Sequence, residues 1–233
     1  MGLMIAIKTD PLSRSMQDYL KMIYSQTRED HTTSTVSIAE ALDVKPASVT
    51  HMLQKLDELE PRLVNYQKHH GVSLTAEGER VALEIIRRHR LLEQFLFEML
   101  AYPWEKIHAE AEELEHAISP YFEERIAQML NDPAFDPHGD PIPNRDLNLA
   151  DERQLIPLAR LRPGQRGSVS LIKNQDEEML AYLTETGIRP GTQVEVIQAN
   201  PLDGSMQVAV GGQAQVFGQE TVETILVVIQ PNG

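Results

Sequence analysis

The spacing of apolar residues changes character once along this chain, and that change fixes the class of fold. Up to about residue 130 apolar residues recur at three- and four-residue intervals, as in Met16, Tyr19, Leu20 and Ile23. Beyond about residue 153 they crowd into short runs at 166–172, 192–199, 205–210, 213–217 and 225–229. The first spacing suits helices buried along one face, the second suits strands. Between them DPHGDPIPNRD (136–146) is rich in Pro, Gly and Asp and reads as an ordered turn followed by a linker. An α+β multidomain chain is expected, and 233 residues accommodate two to three small domains.

The first third has a definite layout. A helix is expected from Leu12 to about Thr27, a short one over 36–42, a turn at Asp43-Val44-Lys45, and a third helix from Pro46 to about Glu58. Proline suits the first helical position, where its missing N–H costs nothing. Leu63 to Tyr66 and Val72 to Leu74 flank the turn Lys68-His69-His70-Gly71 as a hairpin. Helix, helix, turn, helix, hairpin is the layout of a winged helix-turn-helix. Thr75 can cap a long helix to about Leu100. Two more helices are expected, from Pro103 to about Ile118 and from Pro120 to Leu130. The strand-rich end contains one helix, about 176–186, stopped by Gly187. Turns fall at Arg-Pro-Gly (162–164 and 189–191) and Asp203-Gly204, and the whole resembles a small SH3-like β-barrel.

No apolar run approaches the ~18 residues of a membrane span, and Leu3-Met4-Ile5-Ala6-Ile7 is too short for a signal-peptide core. A cytoplasmic protein without membrane contact is therefore expected. The absence of cysteine removes disulfides and thiolate metal ligands. The net charge of −14 is unevenly spread: residues 1–95 hold 12 Lys+Arg against 13 Asp+Glu, residues 96–233 hold 9 against 22. The first segment is nearly neutral and can meet a phosphate backbone, while the rest is rich in cation ligands.

In the third helix Val49, Met52, Leu53 and Leu56 share one face. The opposite face carries Ala47, His51, Gln54 and Glu58, with Ser48 and Thr50 on the flanks. A recognition helix sets its N-terminal side chains on base edges, and small hydroxyl residues and a methyl allow close approach to thymine. Lys45, Lys55 and Lys68 can reach phosphates. An ordinary solvated helix face has the same pattern, and the surrounding layout favours DNA.

Candidate metal ligands cluster in His108-Ala-Glu-Ala-Glu112-Glu-Leu-Glu115-His116. With His108 at 0°, helical spacing puts Glu112 at about 40°, Glu115 at about −20° and His116 at about 80°. The stripe adjoins the apolar Ile107, Ala111, Leu114 and Ile118. Carboxylates beside an apolar face repel one another and lose solvation, and a divalent cation resolves both costs. On the preceding helix His89 and Glu93 share a face. Asp18 has two open readings: Ser15-Met-Gln-Asp18 has capping-box spacing, so its carboxylate can serve the helix N-terminus, or it can ligate a cation.

Taken together, these features resemble the diphtheria toxin repressor family over residues from about 12 to 230. The resemblance is carried by Asp18-Tyr19-Leu20, KPASVTHMLQKL (45–56), HRLLEQFL (89–96), His108…Glu112-x-x-Glu115-His116 and PHGDPIP (137–143). It implies a homodimeric repressor of double-stranded operator DNA that uses Mn²⁺, or alternatively Fe²⁺, at two sites per chain. The implied primary ligands are Asp18, Glu112, Glu115 and His116; those of the other site are His89, Glu93 and His108. The implied division is a winged helix-turn-helix at 1–78, a helical dimerisation and metal-binding domain at 79–148, a linker at 149–157 and an SH3-like domain at 158–233. The iron-sensing branch has Met at the Asp18 position and Cys at the Glu112 position. The manganese-sensing branch has the oxygen ligands found here, which suit hard cations. Lys21 stands where short manganese regulators have a further Glu. Leu171 stands where iron sensors complete the second site, with Asn174 and Gln175 nearby.

The implied logic is a clamp. A cation held by Asp18 from the DNA-binding domain and by Glu112, Glu115 and His116 from the dimerisation domain fixes their orientation. In a dimer this sets the spacing of two recognition helices on a palindromic operator, controlling metal-uptake genes. One rival is a dinuclear carboxylate metalloenzyme, since Glu105-x-x-His108 and Glu113-x-x-His116 match its motif. That chemistry needs the two pairs on different helices. The other rival is a metal-independent DNA-binding protein whose SH3-like domain binds a partner.

Overall fold

The computed structural model describes residues 12–30, 32–68 and 70–230. The Leu3–Ile7 patch and His69 lie outside these residues. Two compact units divide the chain, Met1–Ile86 and Arg87–Gly233.

The first unit contains α1 (Arg14–Asp30), α2 (Thr35–Ala41), α3 (Pro46–Asp57), β1 (Val64–Gln67), β2 (Gly71–Leu74) and the start of α4 (Ala76–Leu100). Its helix ends follow local chemistry. The Ser34 hydroxyl accepts from the Ser37 N–H at 3.0 Å ahead of α2, Pro46 opens α3, and the Thr75 hydroxyl accepts from the Gly78 N–H at 3.1 Å ahead of α4. The hairpin pairs Val64 with Leu74 and Gln67 with Gly71. A bridge from Thr33 to Val72 adds the segment before α2 to it. Gly71 is required there: its φ is +96° and a Cβ would lie 2.7 Å from the Thr33 carbonyl oxygen. Leu20, Ile23, Ile38, Val49, Leu53 and Leu56 are wholly buried in one core. Each such side chain contributes roughly 1.5–3 kcal/mol, so the buried face of α3 fixes which face stays outside.

The second unit holds the rest of α4, a 3₁₀ turn (Trp104–Lys106), α5 (Ile107–Leu114) and α6 (Pro120–Met129). Then come β3 (Ile156–Pro157), β4 (Arg166–Ile172), α7 (Glu177–Glu185), β5 (Gln193–Ala199), β6 (Met206–Val210), β7 (Gln213–Phe217), α8 (Gln219–Thr224) and β8 (Ile225–Ile229). The strands form one antiparallel sheet in the order β3-β8-β4-β5-β6-β7. Register shifts at Val169/Leu171 and Val196/Gln198 bend it. Helices and SH3-like strands share one core, from Leu92, Trp104 and Ile107 through Leu158 and Ile172 to Phe217 and Val227.

Three local differences from the sequence reading have physical causes. α5 ends at Leu114, short of Ile118, because the Ala117 N–H turns back to the Leu114 carbonyl at 2.9 Å, a tighter three-residue closure. Ser119 then takes an extended conformation, as the residue before Pro120 must. The two-residue β3 and the six-residue α8 were not anticipated; both are too short to carry a period. Among the described residues no helix is long and apolar enough to cross a membrane.

Candidate metal centre

α4 and α5 bring His89, Glu93 and His108 together. The His89 Nε2 atom lies 2.9 Å from Glu93 Oε1 and 3.2 Å from His108 Nδ1, and His108 Nδ1 lies 3.0 Å from the same Glu93 oxygen. A cation about 2.1 Å from each of three ligands at octahedral angles sets those ligands about 3 Å apart. The observed triangle has that size. His89 and Glu93 are four apart on α4, one turn, which is why both reach one point.

His89 also faces the other expected ligands. Its Nδ1 lies 2.5 Å from Glu115 Oε2 and 3.5 Å from Glu112 Oε2. Glu115 Oε1 is 3.4 Å from His116 Nε2. Glu115 is wholly buried, whereas the Glu112 side chain is 43% exposed. The expectation of one unbroken helical stripe is corrected here: Glu115 closes α5 and His116 lies in the turn beyond it. The early tightening at Leu114, not an ideal helical angle, directs the last two side chains. Glu105 sits in the 3₁₀ turn and Glu113 is exposed, so the two Glu-x-x-His pairs do not form matched pairs on opposed helices.

A further group was not recognised from sequence. Asp136 and His138, in the turn between α6 and β3, join Glu93 to form a wholly buried cluster whose ligand atoms lie within 4.8 Å of one another. Neither ring nitrogen of His138 has a hydrogen-bond partner; Nδ1 lies 3.7 Å from Glu93 Oε1. A buried imidazole whose ring nitrogens make no close hydrogen bond is costly, and a cation ligated there removes that cost. The donor sets contain only carboxylate oxygens and imidazole nitrogens, so the residues fit a divalent cation. The turn is well ordered: Asp136 Oδ1 accepts from the His138 and Asp140 N–H groups at 2.8 and 3.0 Å. Trp104 stacks on His138 with ring centroids 5.4 Å apart, and its indole N–H donates to the Pro137 carbonyl at 3.2 Å. The only sequence signal was Asp-Pro-His-Gly-Asp, three potential ligands in five residues of a turn.

Charge in this region is balanced locally. Burial pushes the Glu93 carboxyl up, but the positive charge of His89 and contacts with the surrounding imidazoles outweigh it and hold the group well below the usual range. Asp136 goes the other way: burial first, then the negative charges of Glu93 and Asp140, raise it well above, against the pull of Arg90. Leu171 supplies no ligand atom. Gln175 donates to Asp140 Oδ2 at 2.7 Å, and the Asn174 side-chain oxygen accepts from the Asp176 N–H at 2.9 Å.

In the first unit, Lys45, Ala47, Ser48, His51, Gln54, Lys55 and Lys68 are exposed and Thr50 is half-buried, its hydroxyl donating to the Pro46 carbonyl at 3.1 Å. Val49, Leu53 and Leu56 hold the other face of α3 in the core. Asp18 is half-buried on α1. The Met16 N–H meets the Ser13 hydroxyl at 3.4 Å, so α1 is capped from Ser13. The Ser15…Asp18 capping-box register therefore does not match the helix start.

Three family models match in chain order: the iron-dependent repressor N-terminal DNA-binding domain at 11–72, the iron-dependent repressor metal-binding and dimerisation domain at 75–144, and the FeoA domain at 156–229. The iron-dependent repressor IdeR of Mycobacterium tuberculosis is 30% identical over 211 residues, covering 85% of this chain and 89% of its own. The transcriptional regulator MntR of Oceanobacillus iheyensis is 38% identical over 117 residues, covering 50% of this chain and 78% of its own. The solved structure of a manganese-dependent transcriptional repressor in complex with manganese superposes with a TM-score of 0.83 at 36% identity, covering 92% of this chain and all of that one. The DNA-binding, metal-binding and dimerisation, and FeoA models follow one another along most of the chain, and the chain belongs to the iron-dependent repressor family.

Proposed function

We propose that this chain is a transcriptional repressor whose affinity for operator DNA is set by a divalent cation, Mn²⁺ or alternatively Fe²⁺, and that it is not an enzyme. The observation that carries this reading is the convergence of His89, Glu93 and His108 within 3.2 Å, beside the buried Glu115, in a chain with no cysteine. An oxygen- and imidazole-only donor set suits a harder ion such as Mn²⁺ better than the thiolate-seeking metals. Two sites per chain are proposed: Asp18, Glu112, Glu115 and His116 at one, and His89, Glu93 and His108 at the other, the latter with Asp136 and His138 within its reach through Glu93. The bound cation supplies positive charge that holds these side chains in one arrangement. Asp18 belongs to the winged helix, so this charge would favour one orientation of the DNA-binding domain, a population shift limited by the cation's differential affinity.

The repressor would act as a homodimer in the cytoplasm, and the sequence divisions 1–78, 79–148, 149–157 and 158–233 are proposed as its functional parts. α6 and the end of α4 leave Met99, Leu100, Tyr121, Phe122 and Met129 exposed, apolar surface of the kind a self-association interface covers. On α3 Ala47, Ser48, Thr50, His51 and Gln54 would read bases, while Lys45, Lys55 and Lys68 would contact phosphates of a palindromic operator that governs metal-uptake genes.

The test is a binding titration on an operator selected from random duplex DNA in the presence of Mn²⁺. Mn²⁺ and Fe²⁺, under anaerobic conditions, are expected to tighten binding at least about tenfold over excess chelator, about 1.4 kcal/mol. Zn²⁺ serves as the competing softer ion. Equal affinity in chelator and in Mn²⁺ overturns the reading in favour of a metal-independent DNA-binding protein. Turnover of O₂ or peroxide by the metal-loaded chain would favour the enzyme instead.

A further inference from the structure

Within the second unit, the turn carrying Asp136 and His138 is gripped by one side chain from the linker that precedes the SH3-like part. The Arg153 guanidinium donates through Nη2 to the Gly139 carbonyl at 2.7 Å and through Nη1 to the Ser170 carbonyl of β4 at 2.9 Å. Its Cζ lies 3.9 Å above the ring of Phe135, the residue immediately before Asp136. Asp151 holds the same guanidinium from its other side, at 2.8 Å to Nε and 2.7 Å to Nη2. One planar cation therefore ties the turn, a strand and the preceding ring together. A lysine cannot do this, since its single ammonium lacks the fork of parallel donors.

The grip has nowhere to slip. Gly139 has φ +94°, and a Cβ there would stand 2.0 Å from the Ser170 carbonyl oxygen and 2.9 Å from the Leu171 Cα. The two backbones are in direct contact, leaving no room for a side chain. The next residues continue the seam: the Ile172 N–H donates to the His138 carbonyl at 2.9 Å, and Gln175 donates to Asp140. On the opposite side Arg90 of α4 donates to the Pro141 carbonyl at 2.6 Å and to Asp140 Oδ1 at 3.1 Å. The turn is thus fixed to α4 through Arg90 and to β4 through Arg153.

We infer that Arg153 is a positioning residue for the Glu93–Asp136–His138 cluster: from the linker, and braced on β4 of the SH3-like part, it holds the backbone of the ligand-bearing turn without donating a ligand of its own. The inference rests on the reading that this cluster holds a divalent cation. It accounts for Leu171, an apolar residue on the strand that faces the turn: β4 acts there through its backbone carbonyl at Ser170 and its N–H at Ile172.

The chain provides its own reporter. Trp104 is its single tryptophan, buried and stacked on His138, and paramagnetic Mn²⁺ quenches a nearby indole. Full-length wild type, Arg153→Ala, Arg153→Lys and Gly139→Ala are titrated with Mn²⁺, following Trp104 emission and, by calorimetry, total metal bound. Loss of a residue that orients ligands from outside costs about 10–100-fold in metal affinity. Arg153→Ala is expected to move the emission midpoint at least tenfold to higher Mn²⁺, Arg153→Lys less far, and Gly139→Ala in the same direction as Arg153→Ala. The calorimetric step assigned to Glu112, Glu115 and His116 should stay within about twofold of wild type, the selectivity that general destabilisation does not give. A wild-type emission midpoint in Arg153→Ala overturns the inference, as does an equal loss at both steps. If wild-type emission ignores Mn²⁺ while calorimetry shows it binding, the cluster is not a cation site, and the reading beneath the inference fails with it.

Discussion

The two units of this chain treat polar side chains in opposite ways. Among the described residues the first unit buries one, Thr33, whereas the second buries Arg87, His89, Glu93, Glu115, Asp136 and His138, along with Thr221 and Thr224 near β8. The difference follows from what each surface meets. The polar face of α3 stays in water, and the helix buries only Val49, Leu53 and Leu56. A cation site holds its ligands converged and partly dry beforehand, against their mutual repulsion. Under the proposed function, a divalent cation would act mainly on this buried group of the second unit.

That contrast predicts its largest effect in metal-linked stability. At a Mn²⁺ concentration about a hundredfold above the dissociation constant, one filled site adds about 2.7 kcal/mol to unfolding free energy. Glu93→Gln keeps the shape but removes the charge shared by His89, His108 and His138. Chemical denaturation of the full chain with Mn²⁺ and with chelator should show the gain in wild type and at least half of it gone in the variant. An undiminished gain would place the cation away from Glu93.

The next effect belongs to the first unit. Ser48→Ala and His51→Ala are expected to weaken binding to a selected operator by roughly 1–3 kcal/mol and binding to random DNA much less. Lys68→Ala should weaken both alike and reduce the salt slope by about one. None of the three should alter Mn²⁺ affinity. If His51→Ala and Lys68→Ala lose affinity equally on every sequence, the division into base-reading and phosphate-contacting residues is wrong.

The two units also differed in how far their sequence could be read. In the first, the elements were legible from apolar spacing and from Pro46 and Thr75, which act on their own neighbours, although α1 is capped from Ser13 and not in the Ser15 register. In the second, the long α4 placed His89 and Glu93 correctly on one side, since their relation depends only on one helical turn. Glu115 and His116 were harder: their directions depend on where α5 tightens, which Ala117 and Pro120 decide from beyond the helix. Asp136 and His138 were illegible. A turn has no period, and their proximity to Glu93 is set by Arg90, Arg153 and β4, residues between 14 and 51 positions from their partners in the turn.

Asp136 offers a smaller test with a definite sign. Its folded-state pKa is raised, first by burial and then by Glu93 and Asp140. Its stabilising contribution is thus full below the unfolded value of about 3.9 and is lost as pH rises through the folded value. Glu93 is the reverse: its pKa is depressed, so its contribution is full above about 4.3 and is lost as pH falls through the folded value. In chelator, Asp136→Asn should therefore raise the thermal midpoint relative to wild type, by a margin that grows from about pH 4 upward. For a chain of this size each 1 kcal/mol is about 2–4 °C. The same variant should lose part of its Mn²⁺-linked stabilisation. A gain independent of pH would show that charge at Asp136 is not its source.

The smallest expected change in folding stability concerns the one first-unit residue assigned to metal. The α1 N-terminus is served by Ser13, so Ser13→Ala should cost roughly 0.5–2 kcal/mol of stability, the range for a lost cap, and leave the response to Mn²⁺ intact. Asp18→Asn should do the opposite. Asparagine matches aspartate in size and keeps one acceptor oxygen, but its other group is a donor NH2 and it brings no negative charge to a hard cation. The variant is expected to fold within about 0.5 kcal/mol of wild type. It should retain Mn²⁺ at His89, Glu93 and His108, and lose the tenfold gain in operator affinity at moderate Mn²⁺. Calorimetric stoichiometry and operator binding on the same preparation separate the two roles. Normal metal-stimulated DNA binding in Asp18→Asn would confine cation chemistry to the second unit, and the link from metal to DNA would then have to run through dimerisation rather than through α1.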